Sequence, residues 1–540
     1  MQRRLLDAWS DIRNMQAGFR WQIPDRLNIA HVCCEAWAAA APERTAIVHV
    51  SEDGRRELWS YGRLKAVSDA LALSLAARGV GRGDRVAVLL AQCPEVLAAH
   101  MAIHKLGGVV LPLFTLFGPE ALAFRLADSA ARAAITDAAG VEKLMALRPE
   151  LPELAEIYSI DPAPAPIRHL ADEIAAAHGA PPPADTAAED PAVLIYTSGT
   201  TGPPKGALHA HRFMIGHWPS IETTHPRFAS PGDVGWTPAD WAWVGGLMDM
   251  AIPCLAYGVP LVAHRMRKFD PEAAFALIAR EGINRLFLPP TALKLMRQAP
   301  AQQRLSVRSI TSGGESLGAA LSEWAEGTLG APVNEIYGQT ECNLVIGSCH
   351  GLMEVREGSM GLATPGHEVA VIDPEGRALP PGEIGEIAVR APDPVMFLGY
   401  WNKPEKTAEK FTGSWMRTGD LARRDEDGYF WFVSRDDDVI TSAGYRIGPS
   451  EIENCLTGHA DVVNAAVIGV PDPVRTEIVK AYVVLRPGAA WSEALAEELK
   501  ARVRARISPH VAPRLIEPID SLPMTATGKV MRRALRERAT

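Results

Sequence analysis

Tyr196-Thr-Ser-Gly-Thr-Thr-Gly-Pro-Pro-Lys205-Gly206 is the stretch from which the rest of the chain is read. It follows the apolar run Ala192-Val-Leu-Ile195, which reads as a buried strand ending in a hydroxyl- and glycine-rich loop. Glycines let backbone amides turn toward an anion, hydroxyls add donors, and one lysine supplies charge. Thr197, Ser198, Gly199, Thr200, Thr201, Gly202 and Lys205 therefore form a candidate phosphate cradle. The spacing is not that of the common nucleotide loop, because Gly206 stands where a magnesium-binding hydroxyl would be needed.

A chain of 540 residues exceeds one ordinary core and points to two to four domains at about 150 residues each. Hydrophobic content of 47% and charged content of 22% fit a globular enzyme. A net charge of −9 argues against a nucleic-acid partner. The seven cysteines, with Cys33 and Cys34 adjacent and no C-x-x-C, form neither a disulfide nor a zinc framework and fit a reducing compartment. The start lacks an apolar core long enough for a secretory signal, and the most apolar window, Leu247 to Ala263, is interrupted by Asp249, Pro253 and Pro260. A cytoplasmic protein with no integral membrane segment is expected. Oligomeric state is left open, a homo-oligomer included.

Thr45–Val50 reads as a strand. Arg85–Leu90, a helix from Pro94 to Leu106 and Val109–Leu111 then form a βαβ unit, whose strands should be parallel. Residues 161–190, rich in Pro and Ala, read as a surface connection. A second αβ set comprises a helix over Pro271–Glu281, a strand over Arg285–Leu288, a helix after Pro290 and a strand near Ser309–Thr311. Beyond Gly361 short alternating strands predict an antiparallel, barrel-like subdomain, and after the polar run Ser434–Asp438 a compact αβ tail of about 100 residues follows.

Further stretches carry chemistry. In Asn334-Glu335-Ile-Tyr337-Gly338-Gln339-Thr340-Glu341 an aromatic could stack on a base, a hydroxyl could donate to phosphate and a carboxylate could hold Mg²⁺. Ser312-Gly313-Gly314-Glu315, Arg417-Thr-Gly-Asp420, Ser434-Arg435-Asp, Ala443-Gly444-Tyr-Arg446 and Thr525-Ala-Thr-Gly-Lys529 complete the set. Alone, each reads as a turn or a solvated charge. Taken together and in this order, over about residues 30 to 535, they resemble the adenylate-forming, AMP-binding superfamily, and the wording Trp236-Thr-Pro-Ala-Asp-Trp-Ala-Trp243-Val-Gly-Gly246 is similar to its acetyl- and medium-chain acyl-CoA synthetase branch.

The resemblance implies an α/β fold: a large N-terminal domain (1–434) of two doubly wound αβ subdomains plus a distorted β-barrel, and a small mobile α+β C-terminal domain (435–540). It implies an acid–thiol ligase using ATP, CoA and Mg²⁺, in which a carboxylate attacks the α-phosphate, pyrophosphate leaves, and the acyl group passes to CoA. By the same resemblance Thr197, Ser198, Thr200, Thr201 and Lys205 hold the β- and γ-phosphates, Thr340 the α-phosphate and Glu341 the Mg²⁺. Gly314, Glu315, Glu335, Tyr337, Gly338 and Gln339 lie about the adenylate, Asp420 and Arg435 hold the ribose, and Arg446 meets pyrophosphate. Lys529 bridges carboxylate and α-phosphate. Asp437 is the hinge that later withdraws Lys529 and brings Ala443 and Gly444 to a pantetheine tunnel. Acetate enzymes of the family carry tryptophan at the position of Gly338 and valine at that of Gly313. Opening that space, with Trp243 as a wall, implies a medium-chain acid or another acid larger than acetate. Loading of a carrier-protein thiol and an aryl-CoA ligase stand as alternatives, and acetylation of Lys529 by a lysine acetyltransferase is a further expectation.

Overall fold

Apolar, β-branched runs alternating with capped helices build two large sheets. The computed structural model describes residues 6, 11–181, 184–197, 203–300, 303–315, 317–435, 438–442, 445–472, 476–509, 511–525 and 529–539, without the side chains of residues 319, 441, 445, 446 and 451. In one sheet Arg85–Leu89 lies parallel to Val109–Pro112 on one side and to Ala133–Thr136 on the other, as the βαβ reading requires. At its far end Pro191–Thr197 turns back antiparallel on Lys205–Ala210, with Thr197 opposite Lys205. Gly399–Tyr400 closes that edge, with Tyr400 opposite Ala207.

The second sheet carries Arg285–Phe287, Ser309–Gly313 and Val333–Gln339 in parallel, then an antiparallel hairpin from Val333–Gln339 to Asn343–Gly347. The hairpin register shifts between Tyr337 and Gly338. The helix Pro271–Glu281 shows how such elements are delimited. Asp270 accepts from the backbone N–H of Glu272 and Ala273 at one end, and Gly282 takes φ +63° at the other. Between the sheets runs the helix Phe213–Thr224, buried along its whole length. The Ser220 hydroxyl donates to the Leu344 carbonyl at 2.9 Å and Asn334 Nδ2 donates to the Thr224 carbonyl at 2.7 Å, fixing the hairpin to this helix.

Two expectations change. Residues 161–190 are more than a connection: Arg168–His169 pairs with Glu156–Ser159, and the helix Leu170–Ala176 follows, anchored by buried Leu170. Where a barrel-like subdomain was expected, five antiparallel strands form a branched sheet, Phe430–Arg435 adding to Trp415–Arg424 beside Ile384–Arg390.

The chain thus has a large N-terminal and a small C-terminal domain. The C-terminal strands Ile440–Ser442, Tyr445–Ile447, Thr476–Leu485, Val462–Asp472 and Leu515–Pro518 form their own sheet over a separate core that includes Ile452, Val467, Leu499 and Val503. A smaller cluster of Ile468, Tyr482, Leu522 and Leu535 pins the segments on either side of Lys529. Among the described residues no helix is long and apolar enough to cross a membrane.

Candidate active site

Three loops converge at the strand ends. On the first, Thr197 Oγ1 donates to the Lys205 carbonyl at 3.3 Å across the mouth of the glycine-rich loop. Ser198, Gly199, Thr200, Thr201 and Gly202 lie outside the described residues. The half-buried Lys205 holds its ammonium 4.6 Å from the centre of the Tyr400 ring, a cation–π placement. Burial lowers its pKa, with the Glu341 carboxylate opposing that effect and Lys410 and Lys406 adding to it.

The second loop is the tip of the hairpin, Gln339 to Glu341. Glu341 is buried, and its Oε1 accepts from the Tyr400 hydroxyl. Burial raises the Tyr400 phenol, and the Glu341 charge raises it further. Half-buried Thr340 precedes it. Gln339 donates through Nε2 to the Thr418 carbonyl at 2.9 Å and accepts from Lys410 Nζ at 3.1 Å. One carboxylate with a neighbouring hydroxyl fits Mg²⁺, which keeps several waters and takes one or two carboxylates plus substrate phosphates.

On the third, Asp420 and Arg435 stand opposite each other in the ladder. Arg435 Nη1 lies 3.3 Å from Asp420 Oδ1, and the Tyr337 hydroxyl donates to Asp420 Oδ2 at 2.7 Å. Thr418 and Gly419 are fixed from behind. Thr418 Oγ1 donates to the Ile387 carbonyl, and the Gly419 N–H donates to Glu386 Oε1, each at 2.7 Å.

The C-terminal domain reaches the same place. The Thr525 N–H donates to the Lys529 carbonyl at 2.8 Å, so exposed Lys529 sits at the end of a tight loop. Its charge acts on two carboxylates of the N-terminal domain. Burial raises Asp420, and Arg435, Tyr337, Lys529 and Lys410 lower it. Burial raises Glu315, while Lys294, Lys529 and Arg532 lower it and Glu453 adds to the rise. Across the same seam Lys294 Nζ donates to Asn464 Oδ1 at 3.3 Å. Asp437, Ala443 and Gly444 lie outside the described residues, as does the Arg446 side chain.

Glu335 is lifted to about 7 by burial, with the backbone N–H of Leu317 opposing. The expected opening at Gly338 is not there. A Cβ on Gly338 would fall 1.3 Å from the Asn343 carbonyl oxygen, and one on Gly313 would fall 2.4 Å from the Ile336 oxygen. These glycines serve close backbone approach, and the space an indole would occupy is filled by the returning strand. Trp243 does border the site: a Cβ on Gly314 would lie 3.4 Å from its ring, which packs on Phe287 with centroids 5.6 Å apart.

Tyr400, Lys410 and Lys294 escaped the sequence reading. Tyr400 had a signal in the aromatic pair Tyr400-Trp401 after Gly399, and Lys410 in the spacing Lys403, Lys406, Lys410.

A family profile described as "AMP-binding enzyme" matches residues 34–401, and one described as "AMP-binding enzyme C-terminal domain" matches residues 451–529. The chain is 34% identical over 514 residues to an uncharacterized acyl-CoA ligase, YtcI, of Bacillus subtilis (strain 168), spanning 93% of this chain and 94% of that protein. It is 33% identical over 545 residues to the mitochondrial acyl-coenzyme A synthetase ACSM5 of Homo sapiens, spanning 96% and 91%. The crystal structure of the anthranilate CoA ligase AuaEII in complex with anthranoyl-AMP matches with a TM-score of 0.89 at 28% identity, over 96% of this chain and 98% of that one.

Proposed function

This chain belongs to the AMP-binding enzyme family and is an acid–thiol ligase of the AMP-forming acyl-CoA synthetase type; within that activity we propose the following division of labour, with an acid larger than acetate as substrate. The domains divide at 434/435. The carboxylate oxygen attacks the α-phosphorus of ATP, forming the acyl–AMP anhydride bond and breaking the bond to pyrophosphate. A CoA thiolate then attacks the acyl carbonyl, forming the thioester and releasing AMP. Negative charge builds on phosphate oxygens, so catalysis is mostly positioning and electrostatic stabilisation. Thr197 and Lys205 take the terminal phosphates together with Ser198, Thr200 and Thr201. Thr340 donates to the α-phosphate, Asp420 with Arg435 accepts and orients the ribose, and Tyr337 stacks near the base. Glu341, held by Tyr400, would bind Mg²⁺, which neutralises phosphate charge when bound.

The observation that carries this reading is the convergence of Lys205, Tyr400 and Glu341 with the Tyr337–Asp420–Arg435 group. Lys529, exposed on the tight loop closed by Thr525, would bridge the acid and the α-phosphate in the first half-reaction, with Asp437 as the hinge and Ala443–Gly444 as the thiol channel in the second. An acid larger than acetate is supported by the likeness to an anthranilate CoA ligase; Gly338, closed off by the Asn343 carbonyl, adds no space. The free cysteines suit a cytoplasmic setting, and exposed Lys529 is open to acetylation. ATP–pyrophosphate exchange over a panel of acids, followed by CoA-dependent AMP release, tests the reading. Exchange without AMP release on CoA addition would transfer the second step to another acceptor.

A further inference from the structure

Beside the hairpin tip lies a polar cluster that the ligase chemistry leaves unused. Asp249, 5% exposed, sits on a π-helical turn, Leu247–Ala251, that follows Trp243 by one short helical segment. Asn343 Nδ2 donates to Asp249 Oδ1 at 2.9 Å. Asn343 is two residues past Glu341, takes φ +41° and lays its carbonyl against Gly338. Fully buried His217 brings Nε2 to 3.8 Å from Asp249 Oδ1, and that nitrogen has no hydrogen-bond partner among the described residues. Its Nδ1 lies 3.0 Å from the Phe213 carbonyl. A carbonyl only accepts, so Nδ1 carries the proton and Nε2 presents a lone pair.

Three costs coincide here. A buried acceptor is unmet, a helix is widened by a π-turn, and a non-glycine residue is held in the left-handed region. Only the last serves the hairpin that carries Thr340 and Glu341. Burial raises the Asp249 carboxyl to about 8, with Asn343 opposing, and lowers His217 to about 3. At neutral pH the pair therefore offers one O–H donor and one nitrogen acceptor with no net charge. A hydroxyl satisfies both at once, accepting from Asp249 and donating to His217. A hydrocarbon end satisfies neither, and an ammonium would bind only as a buried ion pair with ionised Asp249, both charges giving up their water.

We propose that Asp249, His217 and Asn343 form the distal end of the acyl site and select a carboxylic acid carrying a hydroxyl group remote from its carboxylate. The inference rests on the ligase reading and narrows its substrate class. Asp249 and His217 are specificity-determining; Asn343 positions Asp249.

The test compares hexanoate with 6-hydroxyhexanoate and benzoate with 3-hydroxybenzoate in ATP–pyrophosphate exchange, with 6-aminohexanoate as a third arm, in wild type, Asp249→Leu, Asp249→Asn and His217→Phe. In at least one series the hydroxy acid should exceed its plain counterpart by more than tenfold in kcat/KM, chiefly through KM, because a site built for a hydroxyl rejects the analogue lacking it. Asp249→Leu and His217→Phe should erase that ratio while exchange with the plain acid persists, and Asp249→Asn should keep part of it. Equal use of hydroxy and plain acids in both series, preference for the amino acid, or an unchanged ratio in Asp249→Leu would overturn the proposal. Should Asp249→Leu not fold, the wild-type ratio and the Asp249→Asn variant still decide it. Exchange with none of these acids, nor with any of a wider panel, would instead sink the ligase reading.

Discussion

Tyr337 donates its phenolic proton to Asp420 at 2.7 Å, joining a strand of the second sheet to the antiparallel sheet 83 residues further along. The bond keeps the aromatic face fixed beside a carboxylate that is also paired with Arg435. Tyr337→Phe keeps the ring and leaves a buried acceptor short of one donor, at a cost of about 1–3 kcal/mol. If Asp420 orients the ribose, that cost falls on nucleotide binding. KM for ATP should rise roughly tenfold, each 1.4 kcal/mol being a factor of ten, while KM for the acid stays within about twofold. Pyrophosphate-exchange kinetics with each substrate varied in turn measure both.

Lys529→Ala should separate the half-reactions. The ammonium is exposed, and its backbone is held by Thr525 and by the leucines on either side, so removal should leave the C-terminal domain folded. Adenylate formation should fall by at least about a hundredfold, the scale on which loss of one aimed charge stabiliser acts. Thioester formation from supplied acyl-adenylate should stay within a few-fold of wild type. Equal loss in both assays would remove Lys529 from its assigned place. Enzyme fully acetylated at Lys529 should behave like the alanine variant.

How much of this was legible beforehand follows from where the signal lies. The strand Arg85–Leu89 and the helix Pro271–Glu281 announce themselves through apolar runs and end caps. The phosphate-loop and hairpin-tip residues stand out in the sequence because they are contiguous. Tyr400 was not, since a strand of two residues, Gly399–Tyr400, has no periodicity to read and meets Glu341 only through the fold. Gly338 misled for a related reason. Sequence shows that a side chain is missing but not what stands in its place, and here a backbone carbonyl does. The helix Phe213–Thr224 is buried on all faces, which hides the periodicity by which an amphipathic helix is recognised.

That crowding changes what Gly338→Ala should do. A methyl group 1.3 Å from the Asn343 oxygen forces the two strands apart. Overpacking of this kind costs about 1–3 kcal/mol or more. The expected result is a lower melting temperature together with loss of adenylation for every acid, since Thr340 and Glu341 ride on the same hairpin. A shift in chain-length preference at unchanged melting temperature would mean that the hairpin yields and the position does face the acyl group.

Tyr400→Phe should act through Glu341. The carboxylate would lose its buried donor, while the ring that faces Lys205 would remain. Freed of that hydrogen bond, Glu341 should hold its orientation less well. The Mg²⁺ concentration giving half-maximal exchange should rise about three- to thirtyfold, on the scale of one charge-assisted hydrogen bond. Unchanged metal dependence with reduced kcat would place the Tyr400 role elsewhere.

Acid should unfold this protein through its histidines. Burial lowers His100, His209, His217 and His225 to about 3, His211 to about 4 and His104 well below its ordinary value. Below pH 6.5 the unfolded chain binds protons at these six sites that the folded chain refuses, so stability falls as pH falls. Asp249, Asp240 and Glu335, raised by burial to about 8, 6 and 7, and Glu315 and Asp420, raised in the same direction, hold protons in the folded state and oppose this. Each histidine proton not offset by such an acid adds about 1.36 kcal/mol per pH unit to the slope. Melting temperature should therefore drop from pH 6.5 to 5. In His225→Gln, which removes one of the six, stability at neutral pH should be lower, but its dependence on pH should be shallower by one proton. An equal slope in the two proteins would show that His225 is not among the groups driving the transition.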